Sequence, residues 1–228
     1  MAAYDAICFD LDRTLCEPTQ DATALLESAF DRAGVEQFCT PVDLRAVLPS
    51  LPVAETEREF HELLFREVAD RAGTDRTIRE SAVSSLTTAY LELRDPTAVA
   101  FRPGAAAALE YARDRGRVGL ITNGGRKTQS RKLQALGIED AFDVRVFTEP
   151  SAGIYPKPNA EPFEYALGKL GVEPADTIHV GDSPYADIAG ANAMGIDSAL
   201  VDAGDGADAT DHQPTYELSS LSALESIV

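Results

Sequence analysis

The sequence contains no tryptophan, two methionines and three cysteines in 228 residues. Cys8, Cys16 and Cys39 are an odd number without metal-ligand spacing, which argues against a disulfide framework and against a cysteine-held zinc site. Lysine is scarce: Lys127, Lys132, Lys157 and Lys169 are the four in the chain, and no Lys or Arg follows Lys169, although 11 acids do. Tracking nucleic-acid phosphates requires clustered bases, as does docking on an anionic membrane, so neither nucleic acid nor membrane is an expected partner. No apolar run approaches the roughly 20 residues of a bilayer span. No basic, signal-like segment opens the chain, which points to a cytoplasmic protein. Acid is what abounds: 38 Asp and Glu against 20 Lys and Arg give a net charge of -18. An acidic, lysine-poor surface of this kind fits a halophilic, salt-loaded cytoplasm, where ions screen the repulsion. With 44% hydrophobic and 25% charged residues the composition is that of a globular protein, not a disordered one. The length allows one large domain, or one domain carrying an insert.

Ala6, Ile7, Cys8 and Phe9 form a short apolar run ending at Asp10, the pattern of a strand buried on both faces of a parallel sheet. The next stretch has helical periodicity. Ala22, Leu25, Leu26, Ala29, Phe30 and Ala33 recur up to Gly34, and Phe60, Leu63, Leu64 and Val68 recur up to Gly73. Ile78, Ala82, Leu86, Ala89, Tyr90 and Leu93 make a third stripe that ends before Pro96. Residues 16–99 thus predict a helical insert with no strand of its own. Beyond Arg102-Pro103-Gly104, helices are expected over 105–113, 127–136, 162–170 and 188–194. Strands are expected over 118–122, 144–147, 178–180 and 199–201, with an edge strand at 216–218 and a short last helix. Residues 203–212 read as a surface loop. This alternation predicts an α/β fold, a three-layer Rossmann-like parallel-sheet core made of residues 1–15 and 100–228, interrupted by an α-helical cap of residues 16–99.

Parallel α/β sheets bind ligands at the carboxyl ends of their strands. Four polar clusters fall at such ends or in the loops beside them: Asp10-Leu11-Asp12-Arg13-Thr14, Thr122-Asn123-Gly124, Lys157-Pro158, and Gly181-Asp182-Ser183 through Asp187. A carboxylate at the end of a buried strand is costly unless it is paired. Four acids converging there need more positive charge than Lys157 alone, and a divalent metal with oxygen ligands answers that need. Magnesium suits so few carboxylates combined with water and phosphate. Singly, each cluster has a plainer reading: Thr122-Asn123-Gly124 as a turn, Asp187 as the N-cap of a helix from Ile188.

Together they resemble the haloacid dehalogenase superfamily, in its phosphatase-like members with a small helical cap after the first motif. Phe9-Asp10-Leu11-Asp12-Arg13-Thr14-Leu15 is similar to the nucleophile motif, Ile121-Thr122-Asn123 to the second, and Lys157-Pro158 with Phe163 to the third. Val180-Gly181-Asp182-Ser183, followed by Asp187-Ile188 and Gly190-Ala191, is similar to the fourth. The resemblance implies a Mg2+-dependent phosphatase that hydrolyses a small phosphate monoester through an aspartyl-phosphate. Asp10 would be the nucleophile, and Asp12 would protonate the leaving alkoxide and then activate water. The Asp10 side chain, the Asp12 carbonyl and Asp182 would hold the metal. Thr122, Asn123 and Gly124 would hold phosphate oxygens, Lys157 would neutralise the transferring group, and Asp187 would orient the lysine or the metal shell. The cap would close over the site and choose the substrate, a small phosphorylated metabolite. Arg13 stands where the family often has Gly or a small polar residue, and is expected to face solvent or the cap.

A haloacid dehalogenase lacks the second acid, so Asp12 argues against it. A phosphonate-cleaving relative needs a cap lysine, and none precedes Lys127. A phosphomutase would keep every core residue, and its cap groups are open; the one cap histidine, His61, reads as structural. A non-enzymatic, receiver-like phospho-acceptor shares Asp, Thr, Lys and magnesium. It phosphorylates a mid-chain Asp, however, and carries no acid two residues beyond it.

Overall fold

The computed structural model describes residues 4–73, 76–201 and 212–228. Its strands are β1 (Ala6–Phe9), β2 (Cys16–Pro18), β3 (Val99–Phe101), β4 (Arg117–Thr122), β5 (Val144–Phe147), β6 (Thr177–Gly181), β7 (Asp197–Val201) and β8 (Tyr216–Leu218). Its helices are α1 (Ala22–Ala33), α2 (Pro41–Val47), α3 (Glu57–Arg71), α4 (Arg76–Leu93), α5 (Ala105–Arg115), α6 (Arg126–Leu136), α7 (Glu161–Leu170) and α8 (Ala189–Ala193). The chain divides into two compact units, Met1–Glu17 with Val99–Val228, and Pro18–Ala98.

In the larger unit a six-stranded parallel sheet has the order β5-β4-β1-β6-β7-β8. The alternation along β1 explains the layers. Ile7 and Phe9 point into one apolar core with Ala105, Ala108 and Leu109 of α5 and Leu133 of α6. Ala6 and Cys8 point into the other, with Phe163, Ala166, Leu167 and Leu170 of α7 and Ala191 of α8. Helices therefore cover both sheet faces, as continuous apolar strands require. Phe9 stands level with Leu120 on one side and Val180 on the other. Asp10, Thr122 and Asp182 thus leave the sheet side by side, where the chain turns from one half of the sheet to the other.

The smaller unit packs α1 to α4 around Phe30, Leu64, Phe65, Val68 and Leu86. Asp21 caps α1 by accepting from the Ala24 amide, and Gly34 ends it in the left-handed conformation at φ 66°. Helix α2, which has no counterpart among the periodic stripes, is fixed by a capping box in which Thr40 and Asp43 bond reciprocally, with Pro41 in its first turn.

Three expectations are corrected. The insert carries strand at its margins, because β2 pairs with β3. The helix expected from Ile188 begins earlier, as a π-helical turn over Pro184–Ile188 capped by Ser183. The α3 stripe is shifted by one residue: His61, Leu64, Phe65, Val68 and Ala69 are buried, while Phe60 is exposed. The expected loop over 203–212 lies, except for His212, outside the described residues, as does the side chain of Ile78. No described helix is long and apolar enough to cross a membrane.

Candidate active site

Asp10 follows β1 directly; its amide donates to the Val180 carbonyl, so the neighbouring strand fixes its position. Its carboxylate is buried against Lys157, whose Nζ stands 2.8 Å from Asp10 Oδ1 and 2.6 Å from Asp187 Oδ1. The same ammonium donates to the Ile121 carbonyl at the end of β4. Lys157 is held through its backbone as well: its amide donates to Asn123 Oδ1 and its carbonyl accepts from Asn123 Nδ2. Asn123 therefore anchors the lysine loop.

Asp187 lies within the π-helical turn. Its Oδ1 also accepts from His179 Nε2 at 2.8 Å, and its Oδ2 accepts from the Ser183 amide. The backbone makes room at Gly181, where a Cβ would stand 2.2 Å from the Asp187 carboxyl carbon. The N-cap reading of Asp187 is therefore replaced: Ser183 caps the turn, and Asp187 points inward.

One ammonium faces three carboxylates here. Burial opposes the charge on Asp187, yet Lys157 and His179 outweigh it and hold Asp187 well below the usual carboxylate range. Burial, with Asp187 and Asp182 nearby, pushes Asp10 up to about 8 against the pull of Lys157. Burial and Asp187 likewise raise Asp182 to about 6, against Arg13. Burial would lower Lys157, but its two carboxylate partners raise it above its ordinary value. Burial lowers His179, which keeps the ring neutral and able to donate from Nε2.

Among the described residues, Asp10, Asp182 and Asp187 form a group whose oxygens lie within 4.8 Å of one another. The donor set is entirely hard oxygen, and two of the three carboxylates, Asp10 and Asp187, share one buried lysine. Both features fit a small divalent cation. The Asp12 carboxylate is not in this group. Lys132 Nζ stands 2.5 Å from Asp12 Oδ1, and Gln129 Nε2 donates to Asp12 Oδ2 at 2.7 Å. Gln129 Nε2 also donates to Thr122 Oγ1 at 2.7 Å.

Arg13 is partly exposed and also reaches a carboxylate of the site. Its backbone is left-handed at φ 65°, a conformation that glycine adopts without strain. Its Nε donates to Asp182 Oδ2 at 3.1 Å, and Thr14 Oγ1 lies 3.5 Å from the other Asp182 oxygen. Arg13 thus meets a carboxylate of the site within its own unit. Arg102 holds the loop by donating to the Arg13 carbonyl. The sequence argument that Lys157 stands alone is corrected accordingly, since Arg13 and Lys132 bring two further cations.

The four clusters converge as their positions implied. Gln129, Lys132 and His179 were not among the residues singled out. The available signal was a Gln and a Lys three apart on α6, on the face that also carries Leu133.

The family model of the haloacid dehalogenase-like hydrolases matches residues 4–195. A phosphoserine phosphatase of Thermus thermophilus is 31% identical over 229 residues, covering 87% of this chain and 88% of its own. A ribulose-1,5-bisphosphate 5-phosphatase of Halopiger xanaduensis is 28% identical over 98% of both chains. Among solved structures, a predicted phosphoglycolate phosphatase from Haemophilus somnus superposes with a TM-score of 0.75 at 20% identity. That superposition covers 100% of this chain and 99% of the other, and supports the fold.

Proposed function

Because the chain belongs to the haloacid dehalogenase-like hydrolases, we propose that it is a Mg2+-dependent phosphatase acting on a small phosphorylated metabolite. Two of its relatives are named phosphatases, of phosphoserine and of ribulose-1,5-bisphosphate. The observation that carries the reading is a division of partners. Asp10 is buried on Lys157, whereas Asp12, two residues on, is 40% exposed and held by a second lysine. Two carboxylates in different surroundings can take different roles, and a divalent ion bound beside Asp10 would restore the carboxylate that attack on phosphorus requires.

Asp10 attacks phosphorus, forming an Oδ–P bond as the ester P–O bond breaks, and the Asp12 carboxyl gives its proton to the departing oxygen. The Asp12 carboxylate then takes a proton from water, whose oxygen attacks the aspartyl-phosphate. The Oδ–P bond breaks, phosphate departs, and both carboxyl groups return to their starting states. Thr122 and the Asn123 and Gly124 amides receive phosphate oxygens. Lys157 balances charge on the transferring group, and Asp187 holds Lys157 in place. The Asp10 side chain, the Asp12 carbonyl and Asp182 would hold Mg2+, with Asp187 beside them. The ion supplies positive charge against the repulsion between an anionic nucleophile and an anionic ester. Asp12 favours hydrolysis over halide displacement, since a halide leaves without a proton.

The test is turnover of an aryl phosphate with Mg2+. Asp10→Asn is expected to lower kcat at least about a thousandfold, as loss of a nucleophile does. Full activity in that variant contradicts the assignment.

A further inference from the structure

Two polar side chains of α6, Gln129 and Lys132, are buried on its inward face. A lysine or glutamine is rarely placed there for packing, because its polar end must find partners. The Lys132 ammonium and the Gln129 amide nitrogen find theirs at the site, while Gln129 Oε1 is buried without a partner. Lys132 takes one oxygen of the Asp12 carboxylate and Gln129 takes the other. The second N–H of the Gln129 amide goes to the Thr122 hydroxyl. Helix α6 thereby fixes both oxygens of Asp12 and ties them to the hydroxyl expected to receive phosphate. Gly124 leaves the space this needs: a Cβ there would stand 2.2 Å from Gln129 Nε2 and 2.7 Å from its Cγ. Asp12 is nevertheless 40% exposed, so its carboxylate is oriented without being sealed off.

Resting on the phosphatase reading above, we propose that Lys132 and Gln129 are positioning residues for Asp12. They hold its carboxyl in the orientation from which it protonates the departing ester oxygen. The pair acts through Asp12, and its signature is therefore dependence on the leaving group. A p-nitrophenolate departs without a proton, whereas an alkoxide needs one in the transition state.

The experiment measures kcat and KM for p-nitrophenyl phosphate and for glycerol phosphate, with Mg2+ present, in folded full-length variants. Lys132→Met is expected to lower kcat for glycerol phosphate at least about 30-fold more than for p-nitrophenyl phosphate, a part of the roughly 100- to 10,000-fold that a general acid itself contributes. KM for both should stay within about threefold, since positioning acts on the chemical step. Lys132→Arg, which restores a cation, should recover most of the difference. Gln129→Met should move the same ratio in the same direction, and carries the test if Lys132→Met does not fold. Equal losses on both substrates, or no recovery in Lys132→Arg, overturn the inference. Asp12→Asn separates the two levels. If it discriminates between the leaving groups and Lys132→Met does not, the positioning role fails and the phosphatase reading stands. If Asp12→Asn itself shows no discrimination, the role of Asp12 fails, and this inference with it.

Discussion

At the scale of single residues the site is an arrangement of three cations against four carboxylates: Lys157 on Asp10 and Asp187, Lys132 on Asp12, and Arg13 on Asp182. Lys157 is the most deeply buried of the three, and removing it leaves two buried carboxylates without their shared partner. Lys157→Met is accordingly expected to destabilise the metal-free protein by about 3–5 kcal/mol, measured as a lower urea midpoint; an unchanged midpoint contradicts the central place given to this ion pair. Asp10 and Asp182 are legible in the sequence because a charge at the end of an apolar strand has few structural uses, and Lys157, which lies in a loop, is legible through the order of the motifs. Lys132 and Gln129 are not, because the polar sequence of α6 reads as a solvated helix until its inward face is known. The contact of Arg13 with Asp182 is not legible in the sequence, because the two lie 169 positions apart, a separation no local pattern conveys.

At the scale of elements, long periodic segments were readable and short or polar-interrupted ones were not. Helices α1 and α4 and the central strands follow their apolar patterns. Strands β2 and β3 have three residues each, too few for alternation to register. In α3 a histidine at the head of the buried stripe displaced the reading by one residue. His61 is buried there, its Nδ1 bonded to the Glu57 carbonyl 2.7 Å away. Burial, with Arg94 nearby, lowers its pKa below the ordinary value of about 6.5. Above that value the ring is neutral in both the folded and the unfolded chain, and its full contribution to stability is present. As pH falls through it, the unfolded chain takes up a proton that the folded chain resists, so stability declines. The urea midpoint of the parent protein should therefore drop more steeply between pH 7.5 and pH 5.5 than that of His61→Phe. Parallel slopes would show that His61 does not titrate on unfolding.

For the molecule as a whole, a net charge of -18 sets the solution behaviour. Raising KCl from about 0.1 M to about 1 M shortens the screening length from roughly 10 Å to roughly 3 Å, which weakens repulsion among surface acids. The thermal midpoint should rise over that range, and a fall would argue against the salt-adapted reading. The order of strands and helices makes the α/β architecture legible, since strands that alternate with helices as a rule pair in parallel. That architecture brings residues more than a hundred positions apart to the carboxyl ends of the central strands, where the proposed nucleophile Asp10 stands. Rapid-quench mass spectrometry of Asp12→Asn, mixed with p-nitrophenyl phosphate and Mg2+, tests this directly, because on the proposed mechanism that variant would form the covalent intermediate and hydrolyse it slowly. The account predicts one phosphoryl group on the peptide that carries Asp10. Release of inorganic phosphate at the parent rate, with that peptide unmodified, would contradict it.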